Sequence, residues 1–285
     1  VYLLTTRFMV SEDGGRTLRN GSEDEEIHGD FHALWLDPTN RDRYYIGMDK
    51  GSGVTFDHGE NFILWDNFSI AQYYRIGVDM RDPYWVYGGH QDNGSWAGPS
   101  FSRDVRGILN DSNWKVHWGD GMDIQVDPTD WRRVYSTAEN GKTRHYDALT
   151  YRDVRTDPNA RNVTNWREVI GADTARRNLR FNWASPFVMS PHDPAVLYLG
   201  GNHLLRTTDG GEHWTAISPD LSTQDPEKIV IGRSGGLTLD NSGAEHHGTI
   251  TTVAESHVQP GVIWTGTDDG NLHVSRDGGV TWTDI

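Results

Sequence analysis

The sequence predicts an all-β fold, a β-propeller of four-stranded antiparallel blades with about five complete blades and one partial blade. Three observations carry this expectation. A short phrase recurs at long intervals, as "SEDGGRTL" (11–18), "TFDHGENF" (55–62), "TTDGGEHW" (207–214) and "SRDGGVTW" (275–282). A second landmark recurs upstream of it, an apolar stretch, a Pro-containing turn and an aromatic-rich stretch. The composition agrees: 32 Gly, 12 Trp, 11 Tyr and 8 Phe stand beside only 35% hydrophobic residues, which suits many short strands joined by tight turns.

Aligned on their aspartate, the four phrases leave a gap that two degraded copies fill. "SRD" ends at Asp104 and precedes Trp114, and "HYD" ends at Asp147 and precedes Trp166. Asp13, Asp57, Asp104, Asp147, Asp209 and Asp277 then stand 44, 47, 43, 62 and 68 residues apart, the period of a small antiparallel sheet. The upstream landmark reads "LDPTNRDRYYIG" (36–47), "DMRDPYWVYGG" (79–89), "VDPTDWRRVYST" (126–137), "SPHDPAVLYLGG" (190–201) and "SHVQPGVIWTG" (256–266). Proline presets a turn and cannot donate within a ladder, so each landmark reads as strand, turn, strand. A third strand follows in "GVTF", "LLRTT" and "LHVSR", then the Asp-Gly turn, then a fourth strand opened by Trp or Phe.

The expected organisation is a single propeller domain or segment over 1–285. Its blades fall near 1–27 (partial), 28–70, 71–118, 119–170, 180–218 and 245–285, with an insertion at 219–244. The first repeat lacks an innermost strand, so the chain reads as a piece of a larger propeller or a ring that closes imperfectly. In each Ser/Thr-x-Asp-x-Gly hairpin the carboxylate can accept hydrogen bonds from the turn's own amides while Gly takes the positive φ of the reversal. The six aspartates are therefore expected to brace turns rather than to bind a metal or do catalysis.

Charge excludes several functions. The formal net charge is −15 and no Lys/Arg run could track a phosphate backbone, which argues against nucleic acid and against anionic membrane surfaces. No apolar stretch approaches the roughly 20 residues needed to cross a bilayer as a helix. There is no cysteine, so disulfides and thiol chemistry are excluded. No cofactor and no metal is expected.

The repeated phrases resemble the Asp-box, or bacterial neuraminidase repeat, of sialidases, xyloglucan-cleaving propellers and sortilin-type receptors. Longer stretches, "YYRIGVDMRDPYWVYGGHQDNGSWAGPS" (73–100), "SPHDPAVLYLGGNHLLRTTDGGEHWTAISPDLS" (190–222) and "TITTVAESHVQPGVIWTGTDDGNLHVSRDGGVTWTDI" (249–285), are similar to large exported bacterial proteins with sortilin-like propellers, often labelled glycosyl hydrolase. That resemblance implies a periplasmic or extracellular location. The arginine cluster and Tyr–Glu pair of a sialidase are not recognisable here. Xyloglucan-cleaving propellers hold a catalytic Asp in the hairpin between second and third strands, in a Thr-Asp-x-Gly-Gly setting. "GTDDGNL" (266–272) is the nearest match, which makes Asp268 and Asp269 the first catalytic candidates, although Asn271 replaces the second Gly.

The hairpins between second and third strands open on one face of a propeller and form the expected binding face. They carry Asp49, Gln91, Asp92, Glu139, Asn140, Asn202, His203, Asp268 and Asp269, with Asp49 and Asp92 as further catalytic candidates. Two carboxylates there could serve a glycosidase, their separation setting inversion or retention. The same residues also make ordinary hairpin turns. Asp120 and Asp123 could form a carboxylate pair or satisfy backbone near the axis. Trp96, Trp118 and Trp183 could stack on sugars or pack between blades. Glu245, His246 and His247 lie in the insertion region, and adjacent histidines on a strand point to opposite faces, making them poor joint ligands. The leading functional expectation is a non-catalytic exported recognition or scaffold module that docks a protein partner or envelope complex. The alternatives are a polysaccharide hydrolase of xyloglucan or β-glucan type, which would take a carbohydrate ligand, and a sortilin-like peptide binder.

Overall fold

The computed structural model describes residues 1–22, 27–65, 68, 70–155, 179–229 and 246–285. Among them there is no α-helix, only strands, turns and two single-turn 3-10 segments at Asn110–Ser112 and Glu139–Gly141. The landmarks of the sequence fold as antiparallel sheets in chain order. The chain is all-β and has the successive-blade organisation of a β-propeller.

The chain divides into two compact units, Val1–Ala71 and Gln72–Ile285. The first holds two sheets. Sheet 1 joins β1 (Tyr2–Leu4), β2 (Phe8–Val10) and β3 (Arg19–Asn20); sheet 2 joins β4 (Phe31–Leu36), β5 (Tyr44–Met48), β6 (Gly51–Thr55) and β7 (Ile63–Trp65). In sheet 1 the Asp13 turn lies between the last two strands, so its three strands correspond to the second, third and fourth of the others. The two sheets share one core in which Phe8 and Val10 meet Phe31, Tyr44 and Ile46.

The second unit holds four sheets. Sheet 3 joins β8 (Tyr73–Val78), β9 (Trp85–His90), β10 (Gly94–Pro99) and β11 (Trp114–His117), and sheet 4 joins β12 (Gly121–Val126), β13 (Arg133–Ala138), β14 (Lys142–Asp147) and β15 (Arg152–Arg155). Sheet 5 joins β16 (Phe187–Met189), β17 (Leu197–Gly200), β18 (Leu204–Thr207) and β19 (Thr215–Ala216), and sheet 6 joins β20 (Ile250–Glu255), β21 (Ile263–Thr267), β22 (Leu272–Ser275) and β23 (Thr283–Asp284). Each is a meander with neighbours in sequence order, and the first strands β8, β12, β16 and β20 lie against one another in turn.

Successive residues of a strand point to opposite faces, and in sheets 4 and 5 both faces are covered by neighbouring sheets. In sheet 4, Val134 packs with Tyr87, Ala97 and Val116 of sheet 3, while Tyr135 joins Phe187, Leu197, Leu199 and Leu205 of sheet 5. In sheet 5, Tyr198 and Leu204 instead face Ile250 and Ile263 of sheet 6. Two-sided burial is why "VLYLGG" and "HLLR" read as continuous apolar runs rather than alternating ones.

Two kinds of polar turn hold the sheet ends. In the four full Asp-Gly hairpins the network is the same. Asp13 Oδ1 accepts from Ser11 Oγ (2.8 Å) and Thr17 N (2.9 Å), and its Oδ2 from Thr17 Oγ1 (2.7 Å). Asp57 is bound in the same way by Thr55 and Asn61, Asp209 by Thr207 and His213, and Asp277 by Ser275 and Thr281. The hydroxyl two residues before each Asp also receives the N–H of Gly15, Gly59, Gly211 or Gly279, which have φ between 92° and 97°. A side chain at those positions would be strained, which fixes Gly there. Asp104 and Asp147 close turns of another kind. Asp104 takes both oxygens to Arg106, and Asp147 accepts from Leu149 N and Thr150 N (2.8 and 2.9 Å).

The second kind of turn lies between the first and second strands. Asp37, Asp79 and Asp127 are buried there and accept from turn amides, at 2.7 Å from Thr39, 2.8 Å from Trp85 and 2.8 Å from Thr129. Ser190 and Ser256 hold the corresponding place in sheets 5 and 6, with hydroxyls accepting from His192 N, Val258 N and Gln259 N at 3.2 Å. The proline landmark is thus also an Asx or Ser turn.

Candidate binding face

The hairpins between second and third strands are shaped by their residue types. Asp92 (φ 59°), Asn140 (φ 60°) and the following Gly141 (φ 69°) adopt the left-handed conformation that Asn, Asp and Gly tolerate. Facing them, the first strand of four sheets starts with a register shift. His32 in β4, Tyr74 in β8, Met122 and Asp123 in β12, and Thr251 in β20 fall at these irregularities. A bulge re-aims side chains, and His32 is turned onto Asp49 while Tyr74 is turned onto Asp120.

In the second unit this face is sewn together between sheets. Asp120, 8% exposed at the entrance to β12, accepts from the N–H of Asp92 (2.6 Å), from Tyr74 OH (3.2 Å) and from Trp183 Nε1 (3.0 Å). Its own N–H donates to Glu139 Oε2 at 3.0 Å, and Glu139 also pairs with Lys142. The next hairpin repeats the hook, the Asn140 N–H donating to Trp183 O at 3.2 Å. Further on, Ile250 N donates to Gly201 O at 2.8 Å. Each hairpin therefore clasps the residues that lead into the following sheet.

The remaining sequence candidates fall into the same fabric. Asn202 is fully buried, with Oδ1 accepting from Arg180 N (2.9 Å) and Nδ2 donating to Asp220 (2.8 Å). His203 is buried, its Nδ1 is 3.1 Å from Ser218 O, and burial pushes its imidazole pKa down. The carbonyl of Gln91 accepts from Asn93 N at 2.7 Å, and its N–H donates to Gln72 O. Asp268 Oδ1 accepts from Thr249 N at 2.8 Å. Asp269 Oδ2 accepts from Thr223 N and Oγ1 at 2.7 and 2.8 Å, and its other oxygen takes the Thr267 hydroxyl. Burial alone would raise the Asp269 pKa, but these hydrogen bonds outweigh it and hold it below the ordinary value. Asp49 sits in the first unit, where it pairs with His32.

Asp123 behaves differently. Burial pushes its carboxyl up to about 6, opposed by Arg75 Nε at 3.7 Å and by the backbone of Phe187. Its neighbour on β12, Gln125, donates to Phe187 O at 3.2 Å, so both side chains tie β12 to β16. Asp120 and Asp123 thus have separate partners.

His246 bonds the Phe181 carbonyl (2.7 Å), whereas His247 Nδ1 lies 3.8 Å from Asp268 Oδ2. Glu245 and Trp166 lie outside the described residues. Among those described, Asp209, Glu212 and His213 bring metal-ligating atoms within 4.8 Å of one another, but His213 already closes its own turn on Asp209. Three tryptophans complete the face. Trp183 is part-buried and bonded to Asp120; Trp96 donates to Asn93 O at 2.8 Å; Trp118 is 66% exposed. Sequence reasoning missed Tyr74, Arg180 and Asp220, whose partners lie tens of residues away.

No protein-family model matches the chain, and no curated protein matches it in sequence. Solved structures resemble it in general architecture. An ancestral GH74 enzyme aligns over 90% of this chain and 31% of that one, at 14% identity and a TM-score of 0.46. The extracellular domain of a one component system from B. thetaiotaomicron aligns over 100% and 33%, at 11% identity and 0.45. YCF48 bound to D1 peptide aligns over 93% and 70%, at 10% identity and 0.37. The chain thus spans about a third of the first two, and likeness at this level transfers no activity. The described residues contain no helix long and apolar enough to cross a membrane.

Proposed function

We propose that the chain is a non-catalytic recognition module of an exported protein and docks a protein partner through its loop face. One observation carries this reading. Asp49, Glu139, Asp268 and Asp269, the acids a hydrolase would need free, each commit oxygen atoms to backbone amides or to a neighbouring side chain. A glycosidase needs two carboxylates aimed across a substrate, one of them able to hold a proton. Asp269 is instead held ionised, and its bonds fasten Thr223 to the sheet 6 hairpin. What remains is a rigid surface of fixed shape, which suits recognition by loops on a scaffold.

Two measurements test this. In vivo crosslinking in the envelope of the source cell, with mass spectrometry, should return one partner linked to the hairpins, and Gln91→Arg should abolish that link while the protein stays folded. Assays on xyloglucan and β-glucans should show no turnover by the wild type or by Asp268→Asn. Hydrolysis by the wild type that Asp268→Asn removes, or the absence of any linked partner, overturns the reading.

A further inference from the structure

We draw no further inference here: the strongest candidate, the apolar face of sheet 2 on which Trp35, Tyr45, Ile63 and Trp65 stand exposed, carries nothing because nothing in the structure shows what covers it.

Discussion

Replacing Asp120 isolates the energetics of the loop face. Its carboxylate receives three donors, Asp92 N at 2.6 Å, Trp183 Nε1 at 3.0 Å and Tyr74 OH at 3.2 Å, in a site only 8% exposed. Hydrogen bonds to charged groups contribute about 1.5–3 kcal/mol each, but members of one network do not add, and the longest of these is weak. Asp120→Ala should therefore destabilise the unit that contains it by about 3–5 kcal/mol, because donors are left unpaired in a buried site. Asp120→Asn keeps the shape but turns an amide toward two of the donors, and should lose at least about 2 kcal/mol. Urea unfolding followed by tryptophan fluorescence gives these differences. A cycle with Trp183→Phe, which deletes the N–H and keeps a ring, should give a coupling of about 1–2 kcal/mol. Hydrogen exchange at the Asp92 amide should accelerate in both Asp120 variants. Loss of less than about 0.5 kcal/mol in Asp120→Asn, or no coupling to Trp183, would refute the idea that this carboxylate pins sheet 3 to sheet 4.

Three other outcomes are expected. Gly279→Ala should destabilise by about 2 kcal/mol or more, since φ is 97° and the new Cβ would lie 2.8 Å from Ile217, whereas Gly14→Ala, at φ 76° with nothing within 4 Å, should lose only about 1 kcal/mol; thermal melts compare the two. Trp214→Ala empties a site that is 1% exposed in the core with Tyr135 and Leu205, and should lose about 3–5 kcal/mol in chemical denaturation. Asp123 is raised from 3.8 to about 6, so its contribution is complete below about pH 4 and is lost as the pH rises through 6. Asp123→Asn should accordingly gain stability over the wild type at pH 8, by up to roughly 2–3 kcal/mol, and gain nothing at pH 4. A gain of equal size at both pH values would remove the protonation argument.

The parts of the fold legible in the sequence are those set by neighbours in the chain. The Asp-Gly hairpins are closed by residues two and four positions from the Asp, so Ser11, Thr17, Thr55, Asn61 and their counterparts announce themselves. The apolar runs likewise reveal strands buried on both faces. In the copies at Asp104 and Asp147 the Gly-Gly pair is missing, and the structure closes those turns through Arg106 and through the next amides. The braces at Asp37, Asp79 and Asp127 are also visible in the sequence, as an acid at the start of each turn. The stitching of the face was not legible. Tyr74 and Asp120 are 46 residues apart, Asp120 and Trp183 are 63 apart, and Arg180 and Asp220 are 40 apart. No local pattern fixes such a pair before the sheets are stacked.

The same stitching narrows where chemistry can occur. Sheets 4 and 5 are buried on both faces, and the hairpins at their ends contain little apolar surface with which to pack. Their positions must come from hydrogen bonds, and the acids and amides that looked like a binding ring are the groups able to supply them. An oxygen that accepts from a backbone amide has part of its hydrogen-bonding capacity already committed. Under the proposed docking role, recognition then falls to the shape that these bonded hairpins hold rather than to any one carboxylate.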